Sequence, residues 1–464
     1  MLRSGLLSAF LAAGLTALSP SADAADPTGR FGLISDIHLD PFNPPTLAAR
    51  LSATDVRDWP TVFGALTEQA MSKWGNDSNF ALMQSAVEAF AREAAGADFA
   101  IVPGDFLAHD FEQKAAEALG VAATAPSVRE FAIKTTLFVG ESLAAALPDR
   151  PVFLALGNND SDCGDYEITP GGGYLAATRD MVRRLAGPDL VAADFDTAYA
   201  AGGYYAVRHP GRPDTLILVV NDVLWSAKYR DACGTGGEAA AAAMMTWLAD
   251  ALARQKAAGG AVWLVHHIPW GIDPFSTAHS KAATCTARVV PFLRQPYADG
   301  FIRLLRTYRD IVQASYSGHV HMDDYRLLTD DDGEALGLQK IPPAISPIYG
   351  QNPGFEIVTY DPATGIPTDF TTWYLANLDK ASLTVPGDWQ PEYTFTEAYG
   401  LPHYSADGVA KMIDDVAAGG PSADTFRRLY TVSHEPLPEA DLPAYLCAIR
   451  HQEQADFTTC YCGG

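Results

Sequence analysis

The amino-acid sequence predicts an α/β fold in which buried β-sheets carry helices on their faces and a helical extension follows at the C-terminus. Short apolar segments typical of buried strands alternate with segments of helical periodicity along most of the chain. Apolar residues make up 48% of the 464 residues and charged residues 19%, an ordinary composition for a packed core. From about residue 388 proline, tyrosine and acidic residues increase, and only short helical stretches follow. A chain of this length has room for one large domain or two to three smaller ones.

The strands and helices of this fold are predicted in alternating order, which favours α/β units. Strands are predicted over 31–36, 98–103, 151–156, 215–221, 261–266 and 311–317, and more antiparallel strands over 354–360 and 368–374. Helices are predicted over 79–95, 127–147, 238–257 and 295–309, the first of them capped by Ser78. Helices of the C-terminal extension are predicted over 405–418, 422–430 and 438–451.

The N-terminus has the features of a secretion signal. Arg3 precedes a short apolar run, Leu6–Leu18, and Ala22-Asp23-Ala24 fits the small-x-small rule for cleavage. The apolar run is too short to span a bilayer, which disfavours the alternative of an uncleaved anchor. The chain is therefore expected to be secreted or periplasmic. Its predicted organisation is a signal peptide over 1–24, a main domain over 25–387 and a helical, cysteine-bearing extension over 388–464.

The charge balance excludes several classes of partner. Lys and Arg number 32 against 56 Asp and Glu, so the formal net charge is −24. Such a chain repels phosphate backbones and anionic lipid surfaces, which excludes nucleic-acid coating and electrostatic docking on membranes. No stretch after the N-terminal run is apolar enough to predict a transmembrane segment.

The six cysteines predict disulfide bonds, since an exported chain with an even number usually pairs them. Six cysteines allow 15 pairings, and the sequence does not choose among them. Cys460 and Cys462 are too close for an easy mutual bridge, so one of them is expected to pair with Cys447. A zinc-finger site is disfavoured because the chain contains no CxxC pair.

Five predicted strands each end in residues that are common metal ligands. In open α/β sheets ligands bind just beyond the carboxyl ends of the strands, so these side chains are expected to converge. Asp-x-His and His-x-His place alternate residues on one side of an extended chain, and glycine allows the tight turns. The five segments are Ser35–His38, Pro103–Asp110, Leu156–Asp160, Val265–Trp270 and Ser317–His321.

The types and number of these residues indicate two metal ions. Carboxylate, imidazole and amide groups together suit zinc, manganese or iron better than calcium. Seven such groups are too many for one tetrahedral ion and fit two ions that share a carboxylate. Two ions about 3.5–4 Å apart can hold a phosphoryl group and activate a water molecule. Taken singly, each segment is a common turn or cap, and the indication comes from the five occurring together.

These segments resemble the motifs of the calcineurin-type metallophosphoesterase superfamily: D-x-H, G-D, G-N-[HN], H-x-P and G-H-x-H. Three of them resemble the acid sphingomyelinase-like branch in particular: Gly104–Asp110, His267–Gly271 and Gly318–His321. The resemblance extends from about residue 31 to about 375 and is looser beyond. It implies two packed, mixed β-sheets flanked by helices, a four-layer sandwich, with residues 25–387 as the catalytic domain.

The resemblance also implies a role for each matching residue. His109 would protonate the leaving oxygen, a task that suits histidine near neutral pH. Asn159 stands where many relatives have histidine, so its amide is expected to bond a phosphoryl oxygen. His266 is expected to pack beside the site and not to bind metal, because neighbours on a strand point opposite ways. The implied metal ligands are Asp36, His38 and His321 for one ion, Asn158, His267 and His319 for the other, and Asp105 for both.

The sequence thus leads to one expected function and several alternatives. The expectation is an exported phosphodiesterase with two divalent ions, zinc first and manganese or iron as alternatives. A hydroxide that bridges the ions would attack phosphorus while His109 protonates the leaving group. The expected partner is a small phosphate ester, a nucleotide or a phospholipid head group. The alternatives are a phosphomonoesterase, a nucleotide or polyphosphate hydrolase, and, more remotely, a non-catalytic metal-binding protein.

Overall fold

A computed structural model describes residues 28–463, so the predicted signal peptide lies outside the described residues. The strands alternate with helices for most of the chain, and this confirms the predicted α/β class. The twelve strands are β1 (Gly29–Leu33), β2 (Phe99–Val102), β3 (Val152–Leu154), β4 (Tyr205–His209), β5 (Arg212–Val219), β6 (Ala261–Val265), β7 (Val312–Tyr316), β8 (Asp324–Thr329), β9 (Ala335–Ile341), β10 (Gly354–Tyr360), β11 (Pro367–Leu375) and β12 (Trp389–Thr394).

Sixteen α-helices are formed by the described residues, with two 3₁₀ turns at Val56–Asp58 and Asp222–Trp225. The N-terminal half contains α1 (Thr46–Ala53), α2 (Trp59–Phe63), α3 (Phe80–Glu93), α4 (Phe111–Leu119), α5 (Pro126–Ala146), α6 (Gly173–Ala186) and α7 (Phe195–Gly202). The remainder are α8 (Gly237–Ala257), α9 (Pro274–Ala278), α10 (Cys285–Arg288), α11 (Tyr297–Thr307), α12 (Phe395–Tyr399), α13 (Ala406–Ala417), α14 (Ser422–Tyr430), α15 (Leu442–Arg450) and α16 (Gln454–Cys462). No helix among residues 28–463 is both long and apolar enough to cross a membrane.

The strands form two six-stranded mixed sheets. The first has the order β12-β11-β10-β1-β2-β3, with β1, β2 and β3 parallel and the others antiparallel. The second has the order β4-β5-β6-β7-β9-β8, with β5, β6, β7 and β9 parallel. Two mixed sheets flanked by helices are the architecture that the resemblance implies.

Aromatic side chains join the two sheets face to face. The Phe31 ring on β1 lies 5.3 Å from Trp263 on β6 and 5.3 Å from Tyr316 on β7, centroid to centroid. The next residue on β1, Gly32, points to the opposite face, where Phe90 of α3 packs closely against it. Helices α3 and α6 cover the first sheet and α8 and α11 the second, so four layers enclose the core.

A buried ion pair also crosses between the sheets. The Lys340 Nζ atom of β9 lies 2.7 Å from Glu356 Oε1 of β10 and 2.7 Å from Asp323 Oδ1. All three side chains are buried. The pairing offsets the cost of burying these charges, and loss of one partner leaves an uncompensated charge inside the protein.

The C-terminal region begins with a strand and not with a helix. Strand β12 follows the predicted boundary at residue 388 and pairs with β11, so the first sheet continues past this point. The helices of the extension then pack on the second sheet, where α13 contacts β9 and α15 contacts β8. The helix-capping prediction at residue 78 is wrong by one residue, because the Asn79 side chain accepts the Leu82 amide hydrogen.

All six cysteines are paired, as the sequence predicts. The Cys447–Cys460 bridge links α15 to α16, and this agrees with the expectation that one of the last two cysteines bonds Cys447. The Cys285–Cys462 bridge links α10 to α16. The third bridge, Cys163–Cys233, joins the loop after β3 to the loop before α8.

Candidate functional site

The five motif segments meet at one edge of the two sheets. They follow β1, β2 and β3 of the first sheet and β6 and β7 of the second, and within each sheet these strands run parallel. Backbone hydrogen bonds continue between the segments beyond the strands: Asp36 N donates to Gly104 O, and Gly318 N donates to His267 O. The carboxyl ends of parallel strands thus bring together residues that lie far apart in the chain, such as Asp36 and His321.

Five of the predicted ligands have left-handed backbone conformations, with φ between 44° and 74°. Asp tolerates this region better than most residues, but each occurrence in a non-glycine residue still costs about 1–3 kcal/mol. Such strain persists only where the surrounding structure fixes it, and it is concentrated at functional sites. The five residues are Asp36, His38, Asp105, His319 and His321.

The glycines beside these ligands have two different roles. Gly104 turns the chain with a φ of 107°, as the sequence predicts. Gly157 and Gly318 have ordinary backbone angles, and a Cβ atom at either would overlap a carboxylate, of Asp105 and of Asp36 respectively. They are glycines because the carboxylates approach the backbone too closely for any side chain.

The first ligand group contains Asp36, His38 and His321. The His38 Nε2 atom lies 3.7 Å from Asp36 Oδ1 and 3.1 Å from His321 Nε2. The His38 Nδ1 hydrogen is donated to the Leu107 carbonyl at 2.7 Å, and His321 Nδ1 faces the Ser346 carbonyl at 3.3 Å. Since a carbonyl only accepts, these contacts fix both tautomers and leave both Nε2 atoms turned towards each other.

The second group contains Asn158, His267 and His319. The His267 Nδ1 atom donates to the Pro103 carbonyl at 2.8 Å, and its Nε2 atom lies 3.1 Å from Asn158 Oδ1. The Asn158 amide nitrogen donates to Asp165 Oδ1 at 2.5 Å, and this contact turns the amide oxygen towards the histidines.

Asp105 lies between the two groups. Its Oδ2 atom is 3.4 Å from His38 Nε2 and 3.1 Å from His267 Nε2. One set of ligand atoms within 4.8 Å of each other contains Asp36, His38 and Asp105, and another contains Asp105, His267 and His319.

The donor atoms suit divalent cations. The Nε2 atoms of His38 and His321 lie 3.1 Å apart, and the hydrogen of each neutral ring is on Nδ1. Their lone pairs would therefore repel each other unless a cation or a proton lies between them. Imidazole nitrogens with two carboxylates and an amide oxygen are donors that zinc, manganese and iron accept. The seven side chains therefore fit two ions, with Asp105 in position to touch both.

The pKa values of the histidines also indicate a site that favours positive charge. Burial alone would lower the pKa of His38 and His267, but the carboxylates, Asp105 above all, outweigh burial and raise these pKa values to about 9 and about 10. Burial lowers the pKa of His321 to about 3 and that of His319 well below its usual range. The raised pKa values of His38 and His267 thus reflect the negative charge that the carboxylates concentrate at this site.

His109 lies beside the first group and is oriented by a residue that the sequence analysis did not identify. Its Nδ1 atom donates to Asp77 Oδ1 at 2.9 Å, and its backbone N–H donates to Asp77 Oδ2 at 2.9 Å. The ring stacks on His38 at 4.3 Å between centroids, and its Nε2 atom faces the Tyr349 hydroxyl at 3.4 Å. A ring nitrogen of His109 also lies within 4.8 Å of ligand nitrogens of His38 and His321.

Asn159, which the resemblance places at a phosphoryl oxygen, contacts Asp105 in this structure. Its side-chain amide donates to Asp105 Oδ2 at 3.0 Å, and its backbone N–H donates to Asp105 Oδ1 at 2.9 Å. The residue is only 5% exposed and does not line the cavity described below. The Asp105 carboxylate lies close to Gly157, and so beside the loop that carries Asn159. The Asn159 amide therefore holds this carboxylate in place.

Two buried carboxylates fix the loops that carry the ligands. Asp160 accepts the backbone N–H groups of Asp105, Phe106 and Gly157 at 2.7–2.8 Å. Burial, and then the charge of Asp105, raise the pKa of Asp160 to about 7. Asp222 fixes the segment after β6 in the same way, by accepting backbone hydrogen bonds.

The Asp222 carboxylate accepts the backbone N–H groups of His267 and Ile268 at 3.1–3.3 Å and contacts His266 Nδ1 at 2.7 Å. His266 is buried there and contacts Gln339 on its other side, away from both ligand groups, as the sequence predicts.

A cavity of about 320 Å³ opens over the two groups. Five residues of the site line this cavity: Asp105, His109, Asn158, His319 and His321. Aromatic side chains form much of its wall and come from loops and helices that carry no motif. They include Tyr166, Phe275, Phe292, Tyr349, Tyr430 and Tyr445, with Asp165, Lys228 and Asp273 as charged groups.

Comparisons with known proteins agree with the resemblance seen in the motifs. A sequence model of the calcineurin-like phosphoesterase family matches residues 29–323, more than half of the chain. Acid sphingomyelinase-like phosphodiesterase 3b from Homo sapiens is 26% identical over 449 residues, which cover 93% of this chain and 90% of that protein. Cyclic GMP-AMP phosphodiesterase SMPDL3A from Rattus norvegicus is 24% identical over 462 residues, 95% of this chain and 93% of that protein.

Among solved structures, a dimetal phosphatase from Danio rerio is 12% identical, with a TM-score of 0.42 over 75% of this chain and 96% of that one. The family match covers β1 to β7 and every residue of the two ligand groups. The chain belongs to the calcineurin-like phosphoesterase family and is a hydrolase of phosphoric esters.

Proposed function

We propose that this chain is an exported phosphodiesterase of the acid sphingomyelinase-like type that holds two divalent metal ions and hydrolyses small phosphoric diesters. The observation that carries the proposal is the position of Asp105, whose carboxylate belongs to both ligand groups. Asp36, His38 and His321 would hold one ion with it, and Asn158, His267 and His319 the other. When bound, two such ions polarise a phosphoryl oxygen and make water a stronger nucleophile.

The protein's own groups supply orientation and a proton. The Asp77 carboxylate accepts the His109 Nδ1 hydrogen and so directs Nε2 into the cavity. A protonated His109 would donate that Nε2 hydrogen to the leaving oxygen. Burial acts to raise the pKa of Asp77, but the hydrogen bond and charge of His109 outweigh it and hold this pKa below its usual range. Asp77 is therefore charged and accepts the Nδ1 hydrogen of His109.

Asn159 and Asp160 would keep the shared carboxylate in place. The Asn159 amide holds Asp105 Oδ2, and Asp160 holds the backbone of the same loop. These contacts fix Asp105 before any ion or substrate arrives. Preorganised ligands of this kind improve metal affinity, and loss of a supporting partner typically costs about 10- to 100-fold.

The metal is proposed to be zinc, with manganese or iron as alternatives. Four imidazoles among seven ligands favour the borderline ions over magnesium and calcium, which prefer oxygen. Export is proposed from the N-terminal 24 residues and is supported by three disulfides, which persist in oxidising compartments.

The substrate is proposed to be a soluble phosphodiester, with a nucleotide diester as the leading class. The aromatic walls of the cavity offer stacking surfaces that suit a base. A similar protein is named as a phosphodiesterase of cyclic GMP-AMP, which agrees with this class. A phospholipid head group is the second candidate, because other similar proteins are named sphingomyelinase-like.

The test compares hydrolysis of bis-p-nitrophenyl phosphate and p-nitrophenyl phosphate by protein stripped of metal and refilled with zinc, manganese or magnesium. The proposal expects diester turnover that vanishes on stripping and returns with a transition metal. Asp105→Asn is expected to lower turnover by more than about a hundredfold, since even supporting partners of ligands cost about 10- to 100-fold. The matched control is Asp250→Asn on the exposed face of α8, which is expected to behave as wild type.

Two results would contradict the proposal. Faster hydrolysis of the monoester than of the diester would identify a phosphomonoesterase. Folded protein that binds metal but cleaves neither ester would support the non-catalytic alternative.

A further inference from the structure

The cavity walls contain one cationic side chain whose charge is not paired. Lys228 is the one Lys or Arg that lines the cavity among residues 28–463. Within that part of the chain no carboxylate oxygen lies within 4.0 Å of its Nζ atom, which donates to the Tyr166 hydroxyl at 3.3 Å. An ammonium group has three hydrogens to donate, so two remain for a ligand.

Lys228 is close to the ligand groups. The Tyr166 hydroxyl that accepts its hydrogen bond lies 3.4 Å from His319 Nε2. The ammonium group also lies 5.1 Å from the Tyr166 ring centroid. Lys228 is therefore two contacts away from the second ligand group, too far to be a ligand and close enough to touch a neighbouring group of the same substrate.

The segment that carries Lys228 is fixed to the segment that carries Tyr166. The Cys163–Cys233 disulfide joins the two loops. The Ala232 N–H group donates to Glu167 Oε2 at 3.0 Å, and the Lys228 N–H group donates to Ser226 Oγ at 3.1 Å. The lysine is thus presented by a braced loop at a defined edge of the cavity.

The other charged groups of the wall are already engaged by the chain itself. Asp165 accepts the Asn158 amide, and Asp273 accepts the N–H and hydroxyl of Ser276 at 2.8 and 2.6 Å. A cationic head group would meet carboxylates that already accept hydrogen bonds from the chain, with a positively charged lysine beside them. An anionic group would find the solvent-exposed ammonium of Lys228, which has no carboxylate partner among residues 28–463.

We propose that Lys228 is a specificity-determining residue that binds a second phosphoryl group of the substrate, next to the one that is hydrolysed. The inference rests on the proposed function and extends it. It predicts that the site favours substrates with two or more adjacent phosphoryl groups. It also predicts that the site disfavours esters with a cationic head group. A charge-assisted hydrogen bond is about twice as strong as a neutral one, so the contact is sufficient to discriminate.

The experiment compares two nucleotides, the p-nitrophenyl ester of thymidine 5′-monophosphate and ATP, at one fixed concentration of free metal. The first has a single phosphoryl group and the second has three in a row. In Lys228→Gln the ratio of kcat/KM for ATP to that for the nitrophenyl ester is expected to fall at least about tenfold, mainly through KM, because a hydrogen bond to a charged group is lost. Lys228→Arg is expected to retain most of the ratio, and added salt to diminish it in wild type.

The matched control is Lys256→Gln on α8, which removes one charge far from the cavity lining and is expected to keep the ratio. An equal loss for both substrates in Lys228→Gln would overturn the inference, since the lysine would then act on the hydrolysed group itself. Wild-type protein that cleaves the nitrophenyl ester but not ATP would also overturn it and leave the phosphodiesterase standing. Failure to cleave either substrate would overturn the proposed function and the inference with it.

Discussion

The contact between Asp77 and His109 gives the sharpest prediction about the reaction. Asp77 receives two hydrogen bonds from His109, one from Ser346 and one from Lys114, and it is 2% exposed. Asp77→Asn keeps the size of the side chain and removes its charge. The ring of His109 would then lose the charged partner that accepts its Nδ1 hydrogen and fixes its orientation.

The magnitude follows from the task of the imidazole. General acid catalysis typically contributes about 10²- to 10⁴-fold, and the asparagine can still accept one hydrogen bond, so the loss is expected at the lower end, about a hundredfold. The loss depends on the leaving group. Nitrophenolate leaves readily without a proton, whereas the alkoxide of a nucleoside needs one.

The assay therefore measures kcat of the metal-loaded variant on bis-p-nitrophenyl phosphate and on a dinucleotide. Asp77→Asn is expected to lose about a hundredfold on the dinucleotide and less than about fivefold on the nitrophenyl diester. The control is Lys114→Met, which removes another partner of Asp77 without touching His109. Equal losses on both diesters would refute the reasoning, because Asp77 would then support the fold of the site and not proton transfer.

Three further predictions concern protons and buried charge. Binding of two ions near pH 7.5 is expected to release about two protons, from His38 and His267. Metal affinity is therefore expected to rise with pH up to about 9–10. Calorimetry in buffers of different ionisation enthalpy measures the number of protons released. In the metal-free protein these raised pKa values stabilise the fold fully below the ordinary value of 6.5, and the contribution is lost as pH rises to about 9–10, so Tm is expected to fall over that range. Lys340→Met is expected to destabilise the protein by about 3–5 kcal/mol at pH 8, because Glu356 and Asp323 would remain buried without a cation; denaturant unfolding measures this, and the loss should shrink at pH 5.

Each of these predictions can fail. Metal binding without proton release would mean that both histidines are already neutral in the metal-free protein. A Lys340→Met variant as stable as wild type would mean that the carboxylates find other partners or take up protons without cost.

Strand β10 could be predicted from the sequence although it carries the buried Glu356, and strands β8 and β9 could not. Strand β10 has the predicted bounds, because apolar residues occupy most of its positions. Strands β8 and β9 were not predicted, since they contain the buried Arg326, Gln339 and Lys340. These polar residues are satisfied by partners on other elements, and such partners are visible only in three dimensions. Helix α6 was also not predicted, although its apolar spacing indicates it.

The candidate ligands could be predicted because each follows a strand and belongs to a short motif. Asp77, Lys228 and Tyr349 have no such signal, because each is an isolated residue in a loop that the fold brings to the cavity. The contact of Asn159 with Asp105 was not predicted, for a related reason. Whether that amide faces the substrate or Asp105 depends on the packing of two loops 54 residues apart.

The central claim is that two ions, shared by Asp105, make this chain a phosphodiesterase. The measurement that tests it most directly is a titration of metal-stripped protein with zinc or manganese, in which bound metal and hydrolysis of bis-p-nitrophenyl phosphate are followed together. The account predicts that activity reaches its maximum only with the second equivalent, and that Asp105→Asn fails to reach it at any metal concentration. Full activity at one equivalent, or none with two ions bound, would contradict the account.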